Sequence, residues 1–135
     1  MIKLEKNTKQ TKIQKNIIIF DLDGVLIDSK KNMQISWGKV QQKFNLNNIF
    51  FNNYFAEIGK PFYDILDHLG IFKNKKKIKE TFDQTSIKNK KQIKFYYNVI
   101  KELKTLRSLN YKLCIVTSKD KVRTTLVIKK IEKLF

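Results

Sequence analysis

Two kinds of apolar pattern alternate along the chain: short unbroken runs, and longer stretches in which apolar residues recur at helical spacing. Asn16 to Phe20 (NIIIF) is a run rich in β-branched residues, and it predicts a strand buried on both faces, as in a parallel sheet. Leu113 to Val116 (LCIV) predicts a second such strand. Between them the period is helical. Lys30 to Phe44 predicts a helix with Met33, Trp37, Val40 and Phe44 on one stripe. The Asn-rich stretch Asn45 to Asn53 predicts a loop or turn. Pro61 suits a first helical turn, Phe62, Ile65, Leu66 and Leu69 continue it, and Gly70 stops it. Lys75 to Phe82 predicts a short helix. Gln92 to Leu109 has the clearest helical pattern, with Ile93, Tyr96, Tyr97, Ile100, Leu103, Leu106 and Leu109 as its apolar face. Asn110 suits a left-handed C-cap before the second strand. Ser118 suits an N-cap after it, with Val122, Leu126, Ile131 and Leu134 lining a last helix.

Two buried strands joined through a helix imply a right-handed parallel crossover. The segment between them is far longer than one crossover needs and can hold an inserted helical lid. The expected fold class is α/β: a partial doubly wound, Rossmann-like parallel sheet with an inserted α-helical cap. Residues 16–29 and 91–135 form the expected sheet unit, residues 30–90 the cap, and residues 1–15 a basic, solvated tail.

Composition changes this picture little. With 135 residues, 41% of them apolar, the chain can build one domain, or a core plus a small lid. A single cysteine, Cys114, excludes an intrachain disulfide and fits a reducing, cytoplasmic compartment. No stretch has the ~20 apolar residues that span a bilayer, and the N-terminus lacks the apolar centre of a signal peptide. The net charge of +17 invites a nucleic-acid reading. Lysine carries nearly all of it, however, and Lys, Asn, Ile and Phe are enriched together, as A/T-rich codons would dictate. Nucleic acid is therefore not the expected partner. Dense clusters occur at Lys73 to Lys79 and Lys88 to Lys94; each reads as a solvated face, with a polyanion patch as the alternative.

Ile17 to Ser29 (IIIFDLDGVLIDS) carries the chemistry. In open parallel sheets, sites lie beyond the C-terminal ends of strands. Asp21 and Asp23 end the first strand, and Thr117 and Ser118 end the second, so DLD and TSK should meet at one crevice. Crowded carboxylates repel and lose hydration unless a cation compensates them. The set suits phosphoryl transfer. A carboxylate and a main-chain carbonyl can hold Mg²⁺, one Asp can attack phosphorus, and the other can move protons. A hydroxyl and a lysine from the next strand end can bind phosphoryl oxygens.

FDLDGVLIDS resembles the first motif of the haloacid dehalogenase-like hydrolases, and IVTSK, with Thr117 lying 96 residues after Asp21, is similar to their second. The long helical insertion resembles the cap of the phosphoglycolate phosphatase and β-phosphoglucomutase branch. The resemblance covers residues 16–135 and implies a Mg²⁺-dependent hydrolase of a small phosphorylated metabolite. It implies Asp21 as nucleophile and metal ligand, and Asp23 as general acid/base with its main-chain carbonyl on the metal. Thr117 would bind phosphate, with Ser118 and Lys119 beside it, and Lys60 in the cap stretch Glu57 to Pro61 would contact substrate. Family members carry a third motif with a lysine and a fourth with one or two Asp. The chain stops at Phe135 before either, which implies truncation ahead of them. Lys129, Lys130 and Lys133 fall within the last helix and are not assigned to the third motif.

Plainer readings stand beside these. Asp-x-Asp-Gly also suits a calcium loop or a solvated turn. Asp28 suits capping or a linker hydrogen bond, Thr117 and Ser118 a helix start, His68 a surface or packing role, Trp37 the cap core, and Lys60 the surface. A sheet of three strands or fewer leaves apolar edges uncovered, so marginal stability or association through them is expected. The alternatives to hydrolysis are an inactive fragment or non-catalytic partner protein, and phosphomutase activity in the same family.

Overall fold

The computed structural model describes residues 16–135, and the expected tail, residues 1–15, lies outside the described residues. The first apolar run forms strand β1 (Ile17–Phe20). At Gly24 the chain turns with φ +81°, a conformation that favours glycine, and the Ile27 N–H donates back to the Leu22 carbonyl at 3.1 Å. This turn delivers strand β2 (Ile27–Asp28) and then helix α1 (Lys30–Phe44), which Asn45 ends in the left-handed conformation. Helices α2 (Phe51–Ala56), α3 (Phe62–His68) and α4 (Lys75–Lys88) follow. Strand β3 (Lys94–Phe95), helix α5 (Val99–Ser108), strand β4 (Lys112–Ile115) and helix α6 (Lys121–Ile128) complete the order, before a 3₁₀ turn at Glu132–Leu134.

β1 and β4 pair in parallel, Ile17 opposite Lys112 and Phe20 opposite Ile115. β2 and β3 form a separate antiparallel pair, Ile27 opposite Phe95. Buried apolar residues fall into two clusters. Trp37, Val40, Leu66, Ile78 and Phe82 belong to one, built from α1 to α4. Leu22, Ile27, Leu103, Leu113 and Ile131 belong to the other, around the strands. A buried reciprocal pair joins α1 to α4: Asn32 Nδ2 donates to the Ser86 carbonyl at 2.9 Å, and Ser86 Oγ donates to Asn32 Oδ1 at 2.7 Å.

Several expectations need correction. β1 is not buried on both faces: Ile17 and Ile19 are 57% and 64% exposed, because no layer of the described residues covers that side of a two-stranded ladder. The second strand begins one residue early and leaves Val116 exposed. The helix expected from Gln92 starts only at Val99. Lys94 and Phe95 instead pair with β2, the Tyr96 N–H donates to the Leu26 carbonyl at 3.2 Å, and Asn98 opens the helix with φ +61°. Tyr96 and Tyr97 are consequently exposed rather than on its apolar face. The expected loop Asn45 to Asn53 already enters α2 at Phe51, and the helix expected over Lys75 to Phe82 continues to Lys88. Ser118 is not the last N-cap. Asp120 is, its Oδ1 accepting from the Arg123 N–H at 3.0 Å. Lys129, Lys130 and Lys133 lie beyond α6 rather than within it.

Candidate active site

The parallel pairing of β1 with β4 places Asp21 and Asp23 beside Thr117, Ser118 and Lys119, because each group follows the C-terminal end of its strand. Asp23 is the meeting point. Its Oδ1 accepts from Ser29 Oγ at 2.5 Å, and its Oδ2 lies 3.1 Å from Lys119 Nζ. Ser29 reaches it because the Gly24 turn folds the chain back on itself. The Lys119 side chain is only 4% exposed, and burial pushes its ammonium below the usual lysine range; Asp23 opposes that shift and nearby Arg123 adds to it.

A narrow cleft of about 40 Å³ separates the strand ends from the helical insertion. Asp23, Ser118, Lys119 and Arg123 line one side, and Tyr54, Gly59 and Lys60 the other. A second hollow of about 190 Å³ lies on the flank of Asp23 formed by Asp28, Ser29 and Lys30. Four of the residues singled out in the sequence, Asp23, Ser118, Lys119 and Lys60, thus converge. Asp21 and Thr117 are not among the lining residues. Asp21 is exposed and its Oδ1 accepts from the Leu22 N–H at 2.6 Å; Thr117 Oγ1 accepts from the Lys119 N–H at 3.2 Å. Asp28 accepts from the Lys30 N–H at 3.1 Å, a linker hydrogen bond.

Lys60 does not stand free. Glu57 Oε2 is 2.5 Å from its Nζ and 2.8 Å from His68 Nδ1. Hydrogen bonds from Lys60 and His68 hold the Glu57 carboxyl below the usual carboxylate range. Gly59 precedes Lys60 with φ +107°, so the backbone there is one that a side chain would strain.

Sequence patterns missed a second charged group at this cleft. Arg123, on α6, pairs through Nη2 with Asp83 Oδ1 of α4 at 3.2 Å and through Nε with Asp120, and it lies over the Phe82 ring. Lys79 closes the chain of charges on Asp83 Oδ2 at 2.5 Å. Burial alone would raise the Asp120 carboxyl; hydrogen bonds from the Arg123 backbone and guanidinium outweigh it and leave it lowered. The Asp-Lys-Val-Arg spacing is a capping signal that could have revealed Asp120; nothing local points to the partnership with Asp83.

Another hollow, about 700 Å³, lies elsewhere. Ile93 and Phe95 contribute apolar surface, and Lys90, Lys91, Lys129 and Lys130 surround it, without a carboxylate or nucleophile among its lining residues. It is set apart from the Asp23 chemistry.

The family model of haloacid dehalogenase-like hydrolases matches residues 18–135. The chain belongs to this family. It is 29% identical over 104 residues to the phosphoglycolate phosphatase of Aquifex aeolicus (strain VF5), covering 76% of this chain and 49% of that one. A hydrolase from Pseudomonas syringae superposes with a TM-score of 0.77 at 25% identity, over 88% of this chain and 57% of its own. A haloacid dehalogenase-like family protein from Streptococcus pneumoniae has the same TM-score at 20% identity, over 89% and 58%, a likeness of fold. The chain therefore spans about half the length of the curated relative it matches. Its α/β fold is that of the family. Among the described residues no helix is long and apolar enough to cross a membrane.

Proposed function

We propose that the chain carries the nucleophile, the proton-transfer group and the phosphate contacts of a phosphomonoester hydrolase acting on a small phosphorylated metabolite. The observation that carries this reading is Asp23, held by Ser29 and the buried Lys119 at the mouth of a cleft closed by the helical cap. Asp21, exposed at the end of β1, attacks phosphorus. Its carboxylate oxygen forms the new bond as the bond to the leaving oxygen breaks, and Asp23 supplies the proton that oxygen takes. Asp23 then accepts a proton from water, whose oxygen displaces Asp21 from phosphorus and releases phosphate. Thr117, Ser118 and Lys119 hold the phosphoryl oxygens, and Lys60 meets the substrate from the cap.

Among the described residues no three His, Cys, Asp or Glu cluster as a ready metal site. Mg²⁺ keeps several waters and takes one or two protein oxygens beside substrate phosphate, and the fourth-motif Asp that complete its site in the family are absent from this chain. The Asp21 carboxylate and the Asp23 main-chain carbonyl would hold it. When bound, it would offset the repulsion between the carboxylates and the phosphoryl group.

The test is turnover of p-nitrophenyl phosphate by the purified chain with Mg²⁺, beside Asp21→Asn. Expected is turnover that the substitution lowers by at least ~10³-fold while the circular dichroism is unchanged. Equal turnover by both proteins, or none from a folded chain, overturns the reading. The exposed Ile17, Ile19 and Val116 favour one second reading, an assembly partner without turnover of its own.

A further inference from the structure

The hollow of about 700 Å³ has two walls. One runs from the 3₁₀ turn Lys90–Gln92 into β3; the other is the end of α6 and the residues that follow it. Its floor is apolar. Ile93 and Phe95 come from the first wall, Leu126 and Val127 from the second, and Ile27 from β2. Apart from Leu126, these side chains belong to the buried cluster around the strands or pack against it, whereas Ile17 and Ile19 do neither. The hollow is therefore distinct from the bare face of β1.

Lysine supplies the rest: Lys90, Lys91 and Lys94 on one wall, Lys129 and Lys130 on the other, all of them exposed. Lys60, Lys75, Lys79 and Lys119 each pair with a carboxylate, but among the described residues none of these five does. Lysine is about a fifth of the chain and half of the residues around this hollow, so codon composition does not explain the set. Lys90 and Lys91 follow the end of α4, and Lys129 and Lys130 the end of α6, where helix carbonyls favour cations. Those carbonyls put a positive group on each wall without offsetting the repulsion between the two. An anion lying between them would offset it. The volume is that of a small-molecule site, typically ~300–1,000 Å³, rather than of a track for a polymer. Among the described residues that line it, Phe95 is the one aromatic, which leaves no platform for successive bases.

We propose that this hollow binds a free aliphatic anion, its charged head held between the two lysine groups and its apolar body laid on Ile93, Phe95, Leu126 and Val127. None of the groups assigned to catalysis lines it, so the proposal stands apart from the phosphomonoester reading.

The test is titration calorimetry of the full chain with sodium decanoate below its micellar range, beside decanol and a thymidine octanucleotide. Lys129→Gln/Lys130→Gln removes charge from the site, and Leu126→Asp spoils its floor at a position that is 39% exposed. Lys73→Gln/Lys76→Gln removes the same charge from the other lysine cluster. Circular dichroism checks that each variant is folded. Expected is saturable binding of one decanoate per chain, with decanol bound at least about tenfold more weakly. Each of the first two variants should raise the decanoate Kd about tenfold, and the third less than about twofold. No saturable binding by the folded chain overturns the proposal, and so does decanol binding as tightly as decanoate. Equal weakening by the Lys73 and Lys76 change overturns it too, since net charge alone would then be at work. Tighter binding of the octanucleotide, lost with Lys129 and Lys130, overturns it in favour of a nucleic-acid surface.

Discussion

Replacing Arg123 by Met tests how the cap is held over the strand ends. Arg123 is 10% exposed and joins Asp120 of the sheet unit to Asp83 of α4. Its loss strands Asp83 Oδ1, which is buried and already lacks a hydrogen bond. Breaking a buried pair from one side costs ~3–5 kcal/mol. Here Asp83 and Asp120 remain 22% and 30% exposed, and Lys79 still holds the other Asp83 oxygen, so ~2–3 kcal/mol is expected. At ~2.1 cal/mol/K of unfolding entropy per residue, a chain of 135 residues would lose ~7–11 °C in Tm. Melting followed by circular dichroism and by the emission of Trp37, the chain's one tryptophan, gives the number. A double-mutant cycle with Asp83→Asn should show a coupling of ~1–2 kcal/mol. The acid limb provides a second check. Asp120 has a lowered folded pKa, so its contribution is present above the unfolded value of about 3.9 and fades as pH falls through the folded one. Arg123→Met should flatten that limb. A variant within ~0.5 kcal/mol of wild type, with no coupling to Asp83, would refute the argument.

Two further outcomes follow from buried polar groups. Asn32→Ala leaves Ser86 Oγ and its carbonyl unpaired between α1 and α4 and should cost ~2–3 kcal/mol in urea unfolding; Asn32→Ala and Ser86→Ala should then add to less than their sum. For Lys119, burial lowers the folded pKa despite Asp23, so below the ordinary value of about 10.4 the unfolded chain binds more protons and stability rises with pH on the alkaline limb. Lys119→Met should remove that rise, and an unchanged slope in alkaline urea titrations would contradict the assignment.

The parts of the fold legible in the sequence are those with a local cause. The unbroken run at Ile17 to Phe20 and the stripe Met33, Trp37, Val40 specify β1 and α1 because a neighbour a few residues away completes each pattern. The Asn110 end of α5 was equally local, with φ +64°. What failed depended on distant partners. Ile93, Tyr96 and Tyr97 fit a helical period, but Phe95 pairs with Ile27, and that register is set by the Gly24 turn far upstream. The exposure of Ile19 depends on whether a layer covers β1, which no period reports. At the site, DLD and TSK were visible as strand ends, whereas the partnerships of Ser29 and Arg123 were not. Their roles arise only when the turn, α6 and the insertion face one another across the cleft.

The Asp23–Lys119 pair also bears on how the proposed reaction would be ordered. With Ser29 Oγ on one oxygen and Lys119 Nζ on the other, Asp23 is engaged as an acceptor. A proton donor to a leaving group must instead have an oxygen free to face that group. A phosphoryl group entering beside Ser118 offers Lys119 a more highly charged partner. On the proposed reading, substrate would draw Lys119 off Asp23 and free its Oδ2, while the same ammonium neutralises the phosphoryl oxygens. One buried lysine would then couple the arrival of substrate to the readiness of the acid. The unliganded chain would meanwhile keep its carboxylate compensated, which answers the electrostatic difficulty of placing aspartates at the end of an apolar strand.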